Sequence, residues 1–314
     1  MLLARHEPDY PALLLRAPAP PDALYVAGDP MLLWHPAVAI VGSRAPSAAG
    51  AEHAFDFARA LAQAGFCIVS GMAAGVDAAA HRGALSVGGR TVAVLGCGVD
   101  VAYPPSNRDL HAQVTAQGAV VGEYPPGTPA RAFQFPQRNR IVAALSLGTV
   151  VIEAALRSGA LITARLAAEA GREVFALPGS IHNPMSRGCH RLIREGAALV
   201  ESPREVVAAL APLAHTLADC LRGRLESSEA LEGVAPLALS QNALEVPRGQ
   251  ALPAPPTQDK NYHSLWKALG HDPTGMDALV SRTGLTAAAL SSMLLLMELD
   301  GQVAVEHGRY SRKR

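Results

Sequence analysis

Short apolar runs alternate with segments of helical period through the first two thirds of the chain. The apolar runs predict β-strands at residues 38–41, 66–69, 91–95, 119–121, 149–152, 173–177 and 197–200. Apolar positions three or four apart predict helices at residues 48–64, 77–87, 107–117, 139–145, 160–170 and 187–194. Because strands that are apolar on both faces and separated by helices form covered parallel sheets, we predict an α/β fold with a doubly wound, Rossmann-like parallel sheet.

The same pattern divides the chain into four parts. Residues 1–36 are too few to bury a core, so we predict a lead-in segment that packs on a Rossmann-like domain of residues 37–211. Residues 212–258 are rich in Ala, Leu, Pro, Ser and Glu without clear periodicity, which predicts a linker. Residues 259–314 show three short helical segments and a hairpin signal, the outline of a small C-terminal winged-helix domain.

Glycines and hydroxyl residues follow the predicted strands at their carboxyl ends, where ligands bind in sheets of this kind. Closely spaced glycines let backbone amides approach an anion, and a Ser-Gly pair that opens a helix offers a phosphate seat. The alternative is structural, since a tight turn needs glycine and a hydroxyl caps a helix. The candidate residues are Gly42, Ser43, Arg44, Gly71, Gly75, Ser158, Gly159 and Thr163.

The segment before the fifth strand combines cations with aromatic rings. It contains Arg131, Phe133, Phe135, Arg138, Asn139 and Arg140. Guanidinium groups pair with phosphates and aromatic faces stack on bases, so single-stranded nucleic acid is the predicted ligand. Two residues apart on a helix, Arg138 and Arg140 point about 200° apart. We therefore expect one to reach the ligand and the other to pair with a carboxylate such as Glu153. The alternative for the two phenylalanines is the hydrophobic core.

Composition restricts the ligands and the setting. The net charge is +0, so a nucleic-acid site must be a local basic patch. We expect no cofactor and no metal, because no G-x-G-x-x-G follows a predicted strand and the four cysteines are far apart. No apolar run reaches the roughly 18 residues of a membrane span. Residues 1–9 lack the apolar core of a signal peptide, so we expect a cytoplasmic protein.

Several motifs, in the same order along the chain, resemble the DNA-processing protein A (DprA, also called Smf) family. They are VAIVGSR at 38–44, SGMAAGVDAAAH at 70–81, YP at 103–104, FPQRNRIV at 135–142, EA at 153–154, SGALIT at 158–163, VFALPG at 174–179 and GCHRLI at 188–193. The match covers roughly residues 8–205. The C-terminal module resembles the winged-helix tail that many members carry. Unlike many members, the chain starts almost at the Rossmann portion, so their N-terminal helical domain is expected to be absent or very short.

The resemblance implies a bacterial protein of natural transformation and homologous recombination. Such a protein binds and protects incoming single-stranded DNA, forms a homodimer and helps load the RecA recombinase, without being an enzyme. Family analogy places the dimer surface in residues 187–210. Carried over by motif, the DNA pocket would be lined by Gly42, Ser43, Arg44, Gly71, Gly75, Arg131, Arg138, Asn139, Arg140, Ser158, Gly159 and Thr163. Arg131 stands where many relatives have lysine.

An enzyme is the second hypothesis. Rossmann-like nucleoside monophosphate hydrolases of the LONELY GUY type use an arginine and a glutamate in a similar crevice, and Arg140 and Glu153 are the candidates for those roles. Those enzymes carry P-G-G-x-G-T-x-x-E, whereas this chain has LGTVVIE at 147–153. The missing glycines and the altered spacing favour the binding protein.

Overall fold

The computed structural model describes residues 1–228, 258–270, 272–299, 302–306 and 309–312. Nine strands form one sheet in residues 2–199. They are β1 (Leu2–Ala4), β2 (Ala23–Gly28), β3 (Ala37–Val41), β4 (Cys67–Ser70), β5 (Thr91–Gly98), β6 (Ala119–Tyr124), β7 (Gly148–Val151), β8 (Glu173–Ala176) and β9 (Ala198–Leu199). The helices are α1 (Ala12–Leu15), α2 (Ala48–Gln63), α3 (Val76–Leu85), α4 (Arg108–Gln117), α5 (Gln134–Ala144), α6 (Gly159–Glu169), α7 (Arg187–Arg194) and α8 (Pro203–Ser228).

The strand order is β1-β2-β6-β5-β4-β3-β7-β8-β9, and β3 to β9 run parallel. The chain moves outward from β3 to β6, then crosses back and continues from β7 to β9. The direction of winding therefore reverses between β3 and β7, and this reversal creates a crevice at the carboxyl ends of the strands. The predicted doubly wound Rossmann-like sheet is confirmed.

Both faces of the sheet are buried, which explains the continuous apolar runs. Alternate residues of β3 point to opposite faces, so Ala39 belongs to one core and Ile40 to the other. Helices α1, α5, α6 and α7 cover the first face. Helices α2, α3, α4 and α8 cover the second. Helices α5 and α6 thereby bring their N-terminal ends to the same edge as the loops after β3 and β4.

The lead-in segment extends the sheet beyond its parallel part. β2 pairs antiparallel with β6, and β1 pairs antiparallel with β2. Tyr10 is buried and its hydroxyl donates to the carbonyl of Pro21 at 2.7 Å. The indole nitrogen of Trp34 donates to the carbonyl of Asp9 at 2.9 Å. These bonds fix the turn between β1 and β2 against the sheet.

Two boundaries differ from the sequence prediction. Helix α5 begins at Gln134 rather than at 139, because the backbone amide of Arg131 donates to the Gln134 side chain at 2.7 Å and Pro136 is tolerated in a first turn. Helix α8 continues through Pro212 to Ser228, so the first part of the predicted linker is helical. Leu210 and Ala214 both lie in the core, which keeps one face of α8 packed across the proline. Residues 229–257 of that predicted linker lie outside the described residues.

A second, smaller fold follows. It contains α9 (Gln258–Ala268), β10 (Thr274–Gly275), α10 (Met276–Thr283), α11 (Ala287–Leu299), β11 (Val303–Glu306) and β12 (Arg309–Arg312). The three short strands pair antiparallel in the order β10-β12-β11. Leu265, Leu279, Leu290 and Leu294 form its core. Three helices and a hairpin agree with the predicted winged-helix domain. Within the described residues, none of the helices has the length and apolar character that a membrane crossing requires.

Candidate functional site

A cavity of about 450 Å³ opens at the carboxyl ends of the parallel strands. Loops that follow β3, β4, β5, β6 and β7 contribute to its wall. Of the residues that the sequence singles out, the lining includes Gly42, Arg44, Gly71, Phe135, Arg138, Asn139, Ser158, Gly159 and Thr163. The structure thus brings together residues that are up to 121 positions apart along the chain, from Gly42 to Thr163.

A cation and two aromatic rings form the rim of this cavity. The exposed Arg44 guanidinium lies over the Phe135 ring, 5.6 Å from its centroid. The ring of Tyr103 also stacks on Phe135, with 5.3 Å between centroids and 29° between planes. Tyr103 is 42% exposed and lines the cavity, so part of its side chain is accessible to a ligand. Sequence reasoning missed Tyr103 as a site residue, although an aromatic residue in the loop after a parallel strand was an available signal.

Arg138 lies at the base of the cavity and is 5% exposed. Its guanidinium donates to the carbonyl of Val94 and lies against the backbone of Gly71, where a Cβ atom would overlap it. Burial lowers the pKa of Arg138, while the charge of Asp77 opposes that shift. Burial likewise raises the pKa of Asp77, and Arg138 opposes that shift. Arg138 is therefore a buried cation that supports the cavity from below.

The turn after β4 is closed by the protein's own carboxylate. The amides of Gly71 and Ala73 donate to Asp77 at 3.1 and 3.3 Å. These amides were expected to approach an external anion, but Asp77 already occupies that position. Gly75 has φ +80° and sits so close to the Ser43 carbonyl that a side chain would collide with it. In the structure, glycine at these positions allows the backbone conformation and close contacts of the turn.

Arg140 pairs inside the protein and does not line the cavity. Its guanidinium contacts Glu123 at 2.5 Å and donates to the carbonyl of Ala19 at 2.7 Å. As expected, one of the two arginines pairs with a carboxylate, but the partner is Glu123, and the suggested partner Glu153 is wrong. The strand order gives the reason. Glu123 lies near the end of β6, beside α5. Glu153 follows β7, and three strands, β5, β4 and β3, lie between β6 and β7 in the sheet.

Glu153 is buried at the reversal between β3 and β7, where it holds the N-terminus of α2. Its carboxylate accepts hydrogen bonds from the Ser47 amide at 2.8 Å, the Ser47 hydroxyl at 2.7 Å and the Asn183 side chain at 2.9 Å. It also fills the space beside Gly50. A carboxylate in this position takes the place of an anionic ligand at a helix N-terminus. Since neither Glu153 nor Arg140 lines the cavity, the hydrolase hypothesis is not favoured.

The N-terminus of α6 forms another part of the cavity wall. The Ser158 hydroxyl accepts from the Ala160 amide at 3.2 Å, as a helix cap does. The Asn139 side chain donates to the Gly159 carbonyl at 3.4 Å, which links α5 to this turn. The helix N-terminus carries partial positive charge, and Gly159 leaves its backbone accessible because no side chain covers it. This wall is suited to a phosphate.

The other candidates lie beside the cavity. Arg131 and Phe133 are exposed on the loop that leads into α5, and Phe133 is 57% exposed. Their neighbours Ala130 and Ala132 do line the cavity, so the two side chains lie near its mouth. The Ser43 hydroxyl accepts from the Ala45 amide at 3.1 Å and contacts the Met185 sulfur, which stabilises the turn after β3.

Thiol and metal chemistry have little basis at this site. Cys67, Cys97 and Cys189 are buried. Burial raises the pKa of Cys67 and of Cys189 to about 12, which disfavours reactive thiolates. Across the part of the chain that the structure describes, no three His, Cys, Asp or Glu side chains are grouped as metal ligands would be.

The fold and the cavity define a Rossmann-like anion-binding protein with an aromatic rim and an attached winged-helix module. The sequence model of the family described as DNA recombination-mediator protein A matches residues 1–211. This chain therefore belongs to that family, which confirms the resemblance seen in its motifs. A second model, described as the DprA winged helix domain, matches residues 249–309.

Individual relatives agree. The chain is 39% identical to Protein Smf of Synechocystis sp., across 99% of this chain and 80% of that protein. It is 41% identical to Protein Smf of Escherichia coli, across 97% of this chain and 75% of that protein. Among solved structures, DprA from Streptococcus pneumoniae has a TM-score of 0.64 at 45% identity, covering 66% of this chain and 73% of that one. DprA from Helicobacter pylori, described for its single-stranded DNA binding mode, has a TM-score of 0.61 at 31% identity. This match covers 67% of this chain and 99% of that one.

Proposed function

We propose that this protein binds single-stranded DNA in the cavity at the strand ends and protects it. It then helps load RecA on that strand during natural transformation and homologous recombination, without catalysing a reaction itself. The observation that carries the proposal is that the contacts of Arg44 and Tyr103 with Phe135 lie in the same cavity as the N-terminus of α6. A stacking surface and a phosphate seat in one cavity match the two components of a nucleotide.

The two walls have different roles. Arg44 and the first turn of α6 take phosphates, because one is a charged guanidinium and the other presents backbone amides. Tyr103 takes a base, with Phe135 stacked behind it, and only an unpaired base can reach the ring with its flat face. Binding is thus selective for single strands and tolerant of sequence. With a net charge of +0, the attraction comes from this local group and not from the whole protein.

The remaining candidates support the site from behind or extend it. Arg138 packs against the Gly71 backbone and donates to the Val94 carbonyl at the base, while the Asn139 side chain donates to the Gly159 carbonyl in the first turn of α6. Arg131 and Phe133 extend the cationic and aromatic surface at the mouth of the cavity. Arg140 joins α5 to the lead-in segment, so we assign it to stability rather than to binding.

RecA loading and dimerisation extend the proposal from the cavity to partners. RecA loading is supported by the family to which the chain belongs. A homodimer is supported by the edge strand β9, whose two residues are exposed and whose Leu199 is 48% exposed. An exposed apolar edge strand is a surface that commonly pairs with another chain. We retain residues 187–210 as the proposed dimer surface.

Equilibrium binding of a fluorescent oligothymidine at several salt concentrations tests the DNA-binding proposal. Arg44→Ala should weaken binding and lower the magnitude of the salt slope by about 0.7, because one phosphate contact is lost. Tyr103→Ala should weaken binding by about 1–3 kcal/mol with little change in slope, because stacking is uncharged. Arg82→Ala, an exposed arginine on α3 outside both the cavity and residues 187–210, is the matched control and should behave as wild type.

Two results would contradict the proposal. Unchanged affinity in both the Arg44 and Tyr103 variants would remove the cavity as the DNA site. Release of free adenine from AMP by the wild-type protein would instead support the hydrolase hypothesis.

A further inference from the structure

The turn after β4 contains a residue in an unusual backbone conformation. Among the residues that the structure describes, Met72 is the one residue other than glycine with a positive φ, at +57°. This left-handed region is costly for a residue that has a Cβ atom, so neighbouring contacts must hold it there. The Met72 side chain is buried in the same hydrophobic cluster as Leu95 and Leu110. Since Gly71 and Ala73 line the cavity, the conformation of this turn shapes the site.

The side chain of Asn107 makes a second contact with the turn. It is 4% exposed, and its amide nitrogen donates to the Met72 carbonyl at 2.9 Å and to the Ala73 carbonyl at 3.3 Å. Asn107 stands at the N-cap of α4, where an asparagine usually accepts a hydrogen bond from its own helix. Within the described residues it makes no such capping bond. The turn is therefore held at its amides by Asp77 and at its carbonyls by Asn107.

Asn107 also fixes the loop that carries Tyr103. Its backbone amide donates to the Pro104 carbonyl at 2.9 Å, which closes a short turn directly after Tyr103. Positions 104 and 105 are both proline, and their fixed φ leaves few conformations between Tyr103 and Asn107. Asn107 thus joins the Tyr103 loop to the turn after β4, although it does not itself line the cavity.

We propose that Asn107 is a positioning residue for base binding. By joining the two loops it places the Tyr103 ring against Phe135, where an unpaired base stacks on it. This inference rests on the proposed function of the cavity. Asn107 acts on the base and not on the phosphates, because Arg44 and the first turn of α6 lie on other parts of the cavity wall.

Two strands of equal length, an oligothymidine and an abasic strand, test this role. Both carry the same phosphates, so the ratio of their dissociation constants measures the contribution of the bases. Stacking of one base should make this ratio about 5–150 for wild type. Asn107→Ala should bring the ratio towards one, while the salt slope stays as in wild type. A variant that is only less folded binds both strands more weakly by the same factor, so its ratio does not change.

Thr115→Ala is the matched control and should keep the wild-type ratio. It also removes a side-chain hydrogen bond of α4, from the Thr115 hydroxyl to the His111 carbonyl at 2.8 Å, but further along the helix from the turn. Asn107→Ser has a shorter donor that cannot reach both carbonyls, so it should lower the ratio by less. It provides the test if the alanine variant does not fold.

Two outcomes would contradict different parts of this reasoning. A wild-type ratio in the folded Asn107 variants, including one in which both strands bind more weakly by the same factor, would overturn the positioning role. Equal binding of the two strands by the wild-type protein would instead contradict the proposed function on which the inference rests.

Discussion

Replacing Glu153 provides a quantitative test of how the crevice between β3 and β7 is built. Its buried carboxylate accepts three hydrogen bonds, two from Ser47 and one from Asn183, at 2.7–2.9 Å. Each bond to a charged group contributes about 1.5–3 kcal/mol, and a buried donor that loses its acceptor costs about 1–3 kcal/mol. With each of the three bonds taken at the lower end of this range, Glu153→Ala should lower the free energy of unfolding by about 4.5 kcal/mol, a large fraction of the usual 5–15 kcal/mol.

Glu153→Gln separates charge from shape. The amide keeps the size of the side chain and one accepting oxygen, but its NH₂ group faces donors, so we expect a loss of about 2 kcal/mol. Urea unfolding followed by circular dichroism measures both changes, with the exposed Glu201→Gln as the control. A urea midpoint for Glu153→Gln equal to that of wild type would refute the structural role of this carboxylate. A catalytic role would instead predict unchanged stability and loss of a hydrolytic activity.

Two further perturbations separate stability from binding. Arg140→Ala removes the contacts with Glu123 and the Ala19 carbonyl, so it should lower the urea midpoint of unfolding. The salt slope of DNA binding should not change. A slope smaller in magnitude by about 0.7 would instead show that Arg140 contacts a DNA phosphate. His81 is buried against Thr91, and burial lowers its pKa from 6.5 to about 3. Between these two pKa values the unfolded chain binds a proton that the native protein does not. The free energy of unfolding therefore decreases as the pH is lowered, and the loss at pH 5.5 is about 1.4 kcal/mol. Urea unfolding at pH 7.5 and 5.5 should show a smaller pH dependence for His81→Gln than for wild type, and equal dependence would contradict the assignment.

The sequence was sufficient for the architecture because the signals there are local. A strand buried on both faces is apolar along its length, and β3 meets that condition at every position. The first residue of α5 was harder to predict from the sequence, because it depends on the hydrogen bond between the Arg131 amide and the Gln134 side chain. Nothing in the periodicity of that segment indicates such a bond.

The pairing of charges depended on topology that the sequence does not specify. Arg140 and Glu153 are close along the chain, which made their pairing plausible. The strand order instead brings Glu123 to Arg140 and leaves Glu153 beside Ser47. Tyr103 was missed for a similar reason, since it is remote in sequence from Phe135 and becomes its neighbour only when the loops after β5 and β6 meet.

The distribution of the protein's own carboxylates indicates where an external phosphate binds. Three turns at this edge of the sheet have the composition of a phosphate seat. Asp77 accepts the amides of the turn after β4, and Glu153 occupies the N-terminus of α2. At the third, the start of α6, the cap is the uncharged hydroxyl of Ser158. The positive end of α6 is thus compensated less than the other two, and it lies on the wall of the cavity. Affinity for the DNA backbone should therefore be centred on this turn, in the same cavity as the aromatic rim.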